Sequence, residues 1–248
     1  MPCHTAMEHG NTTALLPVLP SHCCPETVLR YLPILLLAAC RPQPTTEEVV
    51  DRKARVRAIV TVEGSVREGP ARMLYANGTV AKEGEYRAGL KTGAWVEYDR
   101  QQQRRARSNY ARGLPHDTCR WWSANGQLVK EERYEHGVLQ GRSREWYPGG
   151  GMKQEVHYVD GKLQGTCKRW KQGADTLTAA TLVLGQYVDN KVDGIWRGYY
   201  GDGTLHSEGR YEMGHAQGPW HLYDRSGRLV QVRVYVNGKV VRTTDLAP

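Results

Sequence analysis

Four glutamates, Glu83, Glu131, Glu155 and Glu208, fall at one recurrent position of the chain, and paired carboxylates can do acid–base work. A row of identical charges at one strand position is more simply a solvated face paired with Lys or Arg. The other chemistry-bearing residues converge less. His116, His136, His157, His206, His215 and His221 occupy six different positions of the same repeat, so they form no repeated ligand set. Gly149-Gly150-Gly151 lacks the Lys-Ser/Thr and helix of a phosphate loop and reads as a turn. Cys119 and Cys167 share a repeat position but sit two copies apart, about 20 Å at two strands per copy. That exceeds the roughly 7 Å reach of a disulfide, so two separate thiols that replace Trp in packing are expected. No residue set converges with catalytic spacing, and no metal or cofactor is implied.

One residue has a recognisable reaction. Tyr31 to Ala39 is a short apolar run, preceded by Arg30 and followed by Cys40. It is far below the roughly 20 residues that span a bilayer, and it has the size of a signal-peptide core. Leu37-Ala38-Ala39-Cys40 resembles the lipobox of bacterial lipoproteins. The resemblance implies cleavage before Cys40 and acylation of its thiol, the nucleophile suited to acyl transfer. The alternative is a short buried helix or strand that ends in Cys. Residues 1–29 hold no Lys or Arg, so either translation starts later, near Met7 or Val28, or the leader is atypical. By the same resemblance to lipoproteins, Arg41 is not the Asp that retains them at the inner membrane, which implies the outer membrane of a two-membrane bacterium.

Behind these residues stands a chain of 248 residues, rich in Gly (27), with 14 Tyr, 7 Trp and no Phe. That mix suits an all-β chain with many turns. The net charge of +8 is spread rather than blocked, and reads as a solvated basic surface; no nucleic-acid partner is expected. The expected organisation is a leader over 1–39, lipidated Cys40 with a linker over 40–57, a repeat domain over 58–242 and a tail over 243–248. Within the linker, Glu47 to Arg57 is charged and could form a short helix capped by Thr45 or Thr46. Ala58 to Glu63 is β-branched and reads as a strand.

The repeat is set by tyrosine. Tyr86, Tyr110, Tyr134 and Tyr158 stand 24 residues apart; Tyr187 follows after 29, and Tyr211 and Tyr235 return to 24. The break is a five-residue insertion within Lys171 to Leu184. With Tyr as position one, position four is Gly, or Asn190, and marks a chain reversal at positive φ. Asn77-Gly78, Asn125-Gly126, Asp202-Gly203 and Ser226-Gly227 are hairpin signals. Each copy therefore holds two strands, roughly positions nine to fourteen and nineteen to twenty-five. Leu128, Met152, Leu205 and Leu229, at position nineteen, share a face with the next Tyr if the strand is unbulged. Position ten (Trp95, Cys119, Ser143, Cys167, Trp196, Trp220) and position thirteen (Tyr98, Trp122, Trp146, Trp170, Tyr199, Tyr223) differ by an odd number. Either a bulge intervenes or both faces carry aromatic rows.

The spacing Tyr-x-x-Gly-x-x-x-Gly-x-Trp-x-x-Tyr, intact in Tyr86 to Tyr98 and Tyr211 to Tyr223, resembles the MORN repeat. It more closely resembles the bacterial variant found in YwqK-family antitoxins. The resemblance covers about Gly69 to Val241. It implies an elongated, twisted single sheet of stacked antiparallel hairpins, and a protein partner that could be a toxin.

The aromatic rows have two readings. Tyr and Trp can cover a thin sheet that lacks a second layer. Alternatively Trp95, Trp122, Trp146, Trp170, Trp196 and Trp220 form a platform for a protein or ligand. Three functions follow. The first is a non-enzymatic binding scaffold of the cell envelope, anchored to the membrane through acyl chains on Cys40. The second is a toxin-neutralising antitoxin. The third binds glycans or lipid head groups through aromatic and basic rows.

Overall fold

The computed structural model describes residues 43–51, 56–171 and 182–246. The leader and Cys40 lie outside the described residues. Among the described residues no helix forms, and twenty strands make one open antiparallel sheet. Strands pair with their neighbours along the chain. Thr45–Asp51 lies against Val56–Glu63 at one end, and Leu229–Val236 against Lys239–Asp245 at the other. The all-β array of antiparallel hairpins is as the 24-residue period predicts.

Two turns alternate in each copy. At the first, Arg87 pairs with Leu90 across Ala88 and Gly89, whose φ angles are 49° and 77°. Two successive left-handed residues make a type I′ turn, the hairpin turn that matches strand twist. Each such turn is tied to the copy before it. The Gly89 N–H donates to the Arg67 carbonyl at 2.9 Å, and the bond recurs at Gly113, Gly137, Gly161, Asn190, Gly214 and Gly238. The preceding N–H donates to a side chain at position seven of the previous copy: Ala88 to Glu68, Asp160 to Gln140, Asp189 to Gln164, Met213 to Asp193. These bonds satisfy main-chain donors that a bare turn would leave to water.

Position eight does not turn the chain. Glu83 pairs with Val96 and Glu85 with Thr92, so three residues stand opposite Gly84 alone. This bulge is centred on left-handed Gly93 (φ 62°) and recurs at Asp117 (φ 63°) and at later glycines. The strand consequently runs from position five to thirteen, as in Leu90–Tyr98, rather than from nine. A second bulge lies at position twenty. Glu97 pairs with Ala106 but Tyr98 with Arg104, which leaves Arg105 as the extra residue. Position nineteen therefore faces with position thirteen and not with the next Tyr, because the strand is bulged.

The segment Thr45–Asp51 is a strand and not the expected helix. The open edge of Val56–Glu63 offers a full row of main-chain partners, which Thr45–Asp51 takes up residue by residue. At the other end the last strand runs to Asp245, into the expected tail. The insertion lies between the paired residues Trp170 and Leu182, largely outside the described residues.

One face of the sheet buries its own side chains. Trp95, at 1% exposure, lies flat on Gly84, where an added Cβ would stand 2.3 Å from the indole. Trp196 lies on Gly185 and Trp220 on Gly209 in the same way. Tyr86, Trp95 and Tyr110 meet edge to face, and so do Tyr187, Trp196, Tyr211, Trp220 and Tyr235 in series. Long basic side chains cover the rings: Lys91 over Trp95 at 4.9 Å, Arg67 over Tyr86 at 5.3 Å, Arg169 over Tyr187 at 5.7 Å. Aromatic area and cation–π contact thus stand in for a second layer.

Candidate functional site

Position ten of every copy points into the covered face, and position thirteen, three residues on in an unbulged strand, points to the other. Tyr98 at position thirteen donates its hydroxyl to Glu83, which lies on that second face. Both faces therefore carry aromatic rows. The six tryptophans picked out by sequence do not form one row. Trp95 and Trp196 are core residues at 1% and 6% exposure and offer no surface to a partner, and half-buried Trp220 packs in the same row. Trp122, Trp146 and Trp170 lie half-buried on the opposite face.

These two sets exclude one another copy by copy. Where position ten is Trp95, Trp196 or Trp220, position thirteen is Tyr98, Tyr199 or Tyr223. In the copies that begin at Tyr110, Tyr134 and Tyr158, position ten is Cys119, Ser143 or Cys167 and position thirteen is Trp122, Trp146 or Trp170. In these copies an indole stands on the open face at position thirteen and none at position ten, although the copy that begins at Tyr110 also keeps Trp121 on the covered face, under Lys130 at 5.4 Å. Cys119, Ser143 and Cys167 are buried, at 0%, 3% and 1% exposure, and eleven residues before each, where the Trp copies have Gly, stand Ser108, Glu132 and Val156. Burial pushes the Cys167 thiol up. The buried Glu132 carboxylate accepts from Tyr134 at 2.7 Å and pairs with Lys130 at 2.7 Å.

The open face also carries a charge ladder. Arg72, Arg120, Arg144 and Arg197 at position eleven stand opposite Glu83, Glu131, Glu155 and Glu208. The pairs close at 3.4 Å, 2.7 Å and 2.9 Å for the first three, and Arg197 bonds Glu208 as well. Arg144 also reaches Glu131 at 3.8 Å, which makes Arg120, Glu131, Arg144 and Glu155 continuous. The Arg144 hydrogen bond holds the Glu155 carboxyl below its ordinary range, against the opposing effect of burial. These glutamates are the paired, solvated row that their spacing suggested. The alternation fails at Arg107, which stands opposite Arg120.

Beside the bulge at position eight the open face sinks into a depression. One of about 370 Å3 is lined by Thr118, Glu131, Arg133, Arg142, Arg144 and His157. The equivalent one three copies on, about 290 Å3, has Ile195, Glu208, Arg210, Pro219 and His221 at the same positions. Its single arginine is held by Glu212 at 3.2 Å. The fold sets the hollow, and the sequence of each copy sets its chemistry. Sequence reasoning missed Arg107, Arg133 and Arg142. The signal that would have found them is the comparison of positions nine, twenty-two and twenty-four between copies. Among the described residues no group of three or more His, Cys, Asp and Glu side chains is placed to hold a metal ion. The His116 and His136 rings meet tilted by 41°, with centroids 5.1 Å apart.

Residues 67–88, 139–160 and 192–213 match the family described as MORN repeat variant. Each matched stretch starts at position six and ends at position three of the next copy. Each therefore contains both bulges, the second turn and the first half of the type I′ turn. No curated protein matches the chain. The array is a MORN-like scaffold of repeated hairpins, a class of surface suited to binding.

Proposed function

We propose that the chain is a non-enzymatic binding scaffold of the cell envelope, held at the membrane by acyl chains on Cys40. Its partner meets the open face at Trp122, Trp146 and Trp170. The observation that carries this reading is the exchange of indoles between faces. A Trp buried over Gly stabilises the sheet through the large area it removes from water. Three successive copies lack the Trp at position ten and set one half-buried at position thirteen, while the first of them also keeps Trp121 on the covered face. A purely structural sequence has no reason to do so, whereas Trp is a preferred anchor at interfaces. The anchor rests on Leu37-Ala38-Ala39-Cys40 and the apolar run before it, and Arg41 favours the outer membrane.

Two measurements test the two parts. Labelled palmitate should enter the wild-type chain and be absent from Cys40→Ala; label retained in the variant overturns the anchor. A pull-down from the membrane fraction should recover a partner that Trp122→Ala/Trp146→Ala loses. A partner held equally by wild type and the double variant overturns the assignment of the face.

A further inference from the structure

On the reading of the open face as the binding surface, we propose that the copies beginning at Tyr110, Tyr134 and Tyr158 bind an extended acidic polysaccharide, one disaccharide unit per copy. Each copy sets a cation and an indole two residues apart on one strand, side by side on the open face: Arg120 with Trp122, Arg144 with Trp146, Lys168 with Trp170. Successive pairs are two strands apart, about 10 Å, which is the length of an extended disaccharide unit. A pyranose ring lays its C–H face on an indole. Arg120 and Arg144 are already bonded to Glu131 and Glu155, so a uronate carboxylate would take two parallel N–H bonds from the exposed guanidinium forks of Arg133 and Arg142 beside them.

The charge on this face exceeds what the ladder neutralises. Arg107, Arg133 and Arg142 are exposed, and Arg142 has only a 3.8 Å contact with Glu155. Arg133 and Arg142 line the 370 Å3 hollow together with Arg144. The molecule contains its own control. Three copies on, the same hollow holds Ile195 and Pro219, and its arginine is already paired with Glu212. A nucleic acid duplex fits less well, because the phosphates of each strand recur at about 3.4 Å along its axis and three would compete for each cation–indole pair.

Isothermal titration of the full chain tests this with three kinds of probe. The acidic probes are a hyaluronan octasaccharide, with a uronate on alternate sugars, and an oligogalacturonate, with one on each. The others are neutral chitooligosaccharide and oligo(dT). At least one acidic oligosaccharide should bind, with the neutral chain weaker by on the order of tenfold. Arg133→Ala/Arg142→Ala, which leaves the ladder intact, should weaken binding by on the order of tenfold, as should Trp146→Ala; Arg210→Ala should leave it unchanged. Circular dichroism shows whether each variant is folded, and the arginine pair carries the test if Trp146→Ala is not. The proposal is overturned if neither acidic chain binds, if the arginine pair is without effect, or if oligo(dT) binds as tightly. Failure of both acidic chains, while Trp122→Ala/Trp146→Ala still loses its pulled-down partner, removes the polysaccharide and leaves the binding face standing.

Discussion

Gly84→Ala should destabilise the sheet although alanine is ordinarily the better strand residue. The backbone at Gly84 is not left-handed, so no strain of that kind interferes. The added Cβ would stand 2.3 Å from Cδ2 of Trp95, 2.5 Å from Cε2 and 2.6 Å from Cγ, where ordinary contact begins at 3.4 Å. These are ring atoms of a side chain at 1% exposure, not the end of a flexible one. The indole must lift by about 1.1 Å, the difference between contact and the shortest distance. Lifting it strains the Nε1 bond to the Glu85 carbonyl at 3.1 Å, the edge contacts with Tyr86 and Tyr110 and the Lys91 cover at 4.9 Å. Overpacking of this kind costs about 1–3 kcal/mol, against the roughly 0.5–1 kcal/mol that Ala gains over Gly in the chain. Taking the middle of each range, the expected net loss is on the order of 1 kcal/mol, read as a lower urea midpoint at unchanged slope. A second measurement isolates the cause. Val156 opposite Cys167 is a natural solution to the same contact, both side chains being buried. Gly84→Val/Trp95→Cys should therefore be more stable than the sum of its single variants implies, by at least about 1 kcal/mol. A neutral Gly84→Ala, or strict additivity in the double variant, would refute the coupling of the two positions.

Three further outcomes are expected. Asp193→Ala removes the acceptor of the Met213 N–H at 3.0 Å; that amide should exchange with deuterium faster, and stability should fall by about 1 kcal/mol. Glu155 has a depressed carboxyl pKa, held down first by the Arg144 hydrogen bond. Its stabilising contribution is complete above the unfolded carboxylate value of about 4.3 and is lost as pH falls through the folded value. Urea midpoints of Glu155→Gln should accordingly vary less with pH in that acid range than those of the wild type; parallel profiles would show that the ion pair contributes nothing. Burial raises the Cys167 pKa and leaves the thiol 1% exposed, so iodoacetamide should label it slowly in the folded chain and rapidly in urea. Equal rates, read by mass spectrometry, would place it at the surface.

Much of the fold is legible before any coordinate is known, because the 24-residue period carries it. Turn glycines at position four and the Asn-Gly class of dipeptides mark the hairpins, and the Glu row at position twenty-two is the charged face. What is not legible comes from bulges. A left-handed Gly93 reads equally as a turn or as a bulge, since both need the same backbone. The bulge at Arg105 moves position nineteen across the sheet without leaving any mark in residue type. The helix expected after Thr45 fails because charge and length favour it locally, while an unpaired strand edge decides the matter through contacts far along the chain. One rule was present and unread. Gly84 and Trp95, Gly185 and Trp196, Gly209 and Trp220 are each separated by eleven residues, and the pairing of smallest with largest residue is the packing itself. The candidate site was legible only in part, since six tryptophans look alike until the faces are assigned.

Stability and binding are divided along the array as well as between its faces. One buried cluster is built on Val60, Ala71, Tyr86 and Trp95, the other on Val156, Cys167, Tyr187 and Trp196. Between them the covered face holds Ser108, Cys119, Glu132 and Ser143, small or polar residues, two of them at the position where the ends have indoles, and only Trp121, under Lys130, among its large rings besides tyrosine. In a repeat array stability is close to a sum of nearest-neighbour terms, so a weak junction in the middle lowers the cooperativity of the whole. Those junctions are also where the open face is richest in unneutralised cations and carries its indoles. A ligand that spans the copies from Tyr110 to Tyr158 would contact both sides of each weak junction. It would bind the ordered array in preference to one parted at the middle, and its binding free energy would then supply the coupling that the missing indoles do not. On that proposal, the exchange at position ten would link two features, the small buried residues of the central copies and the indole row on their other face.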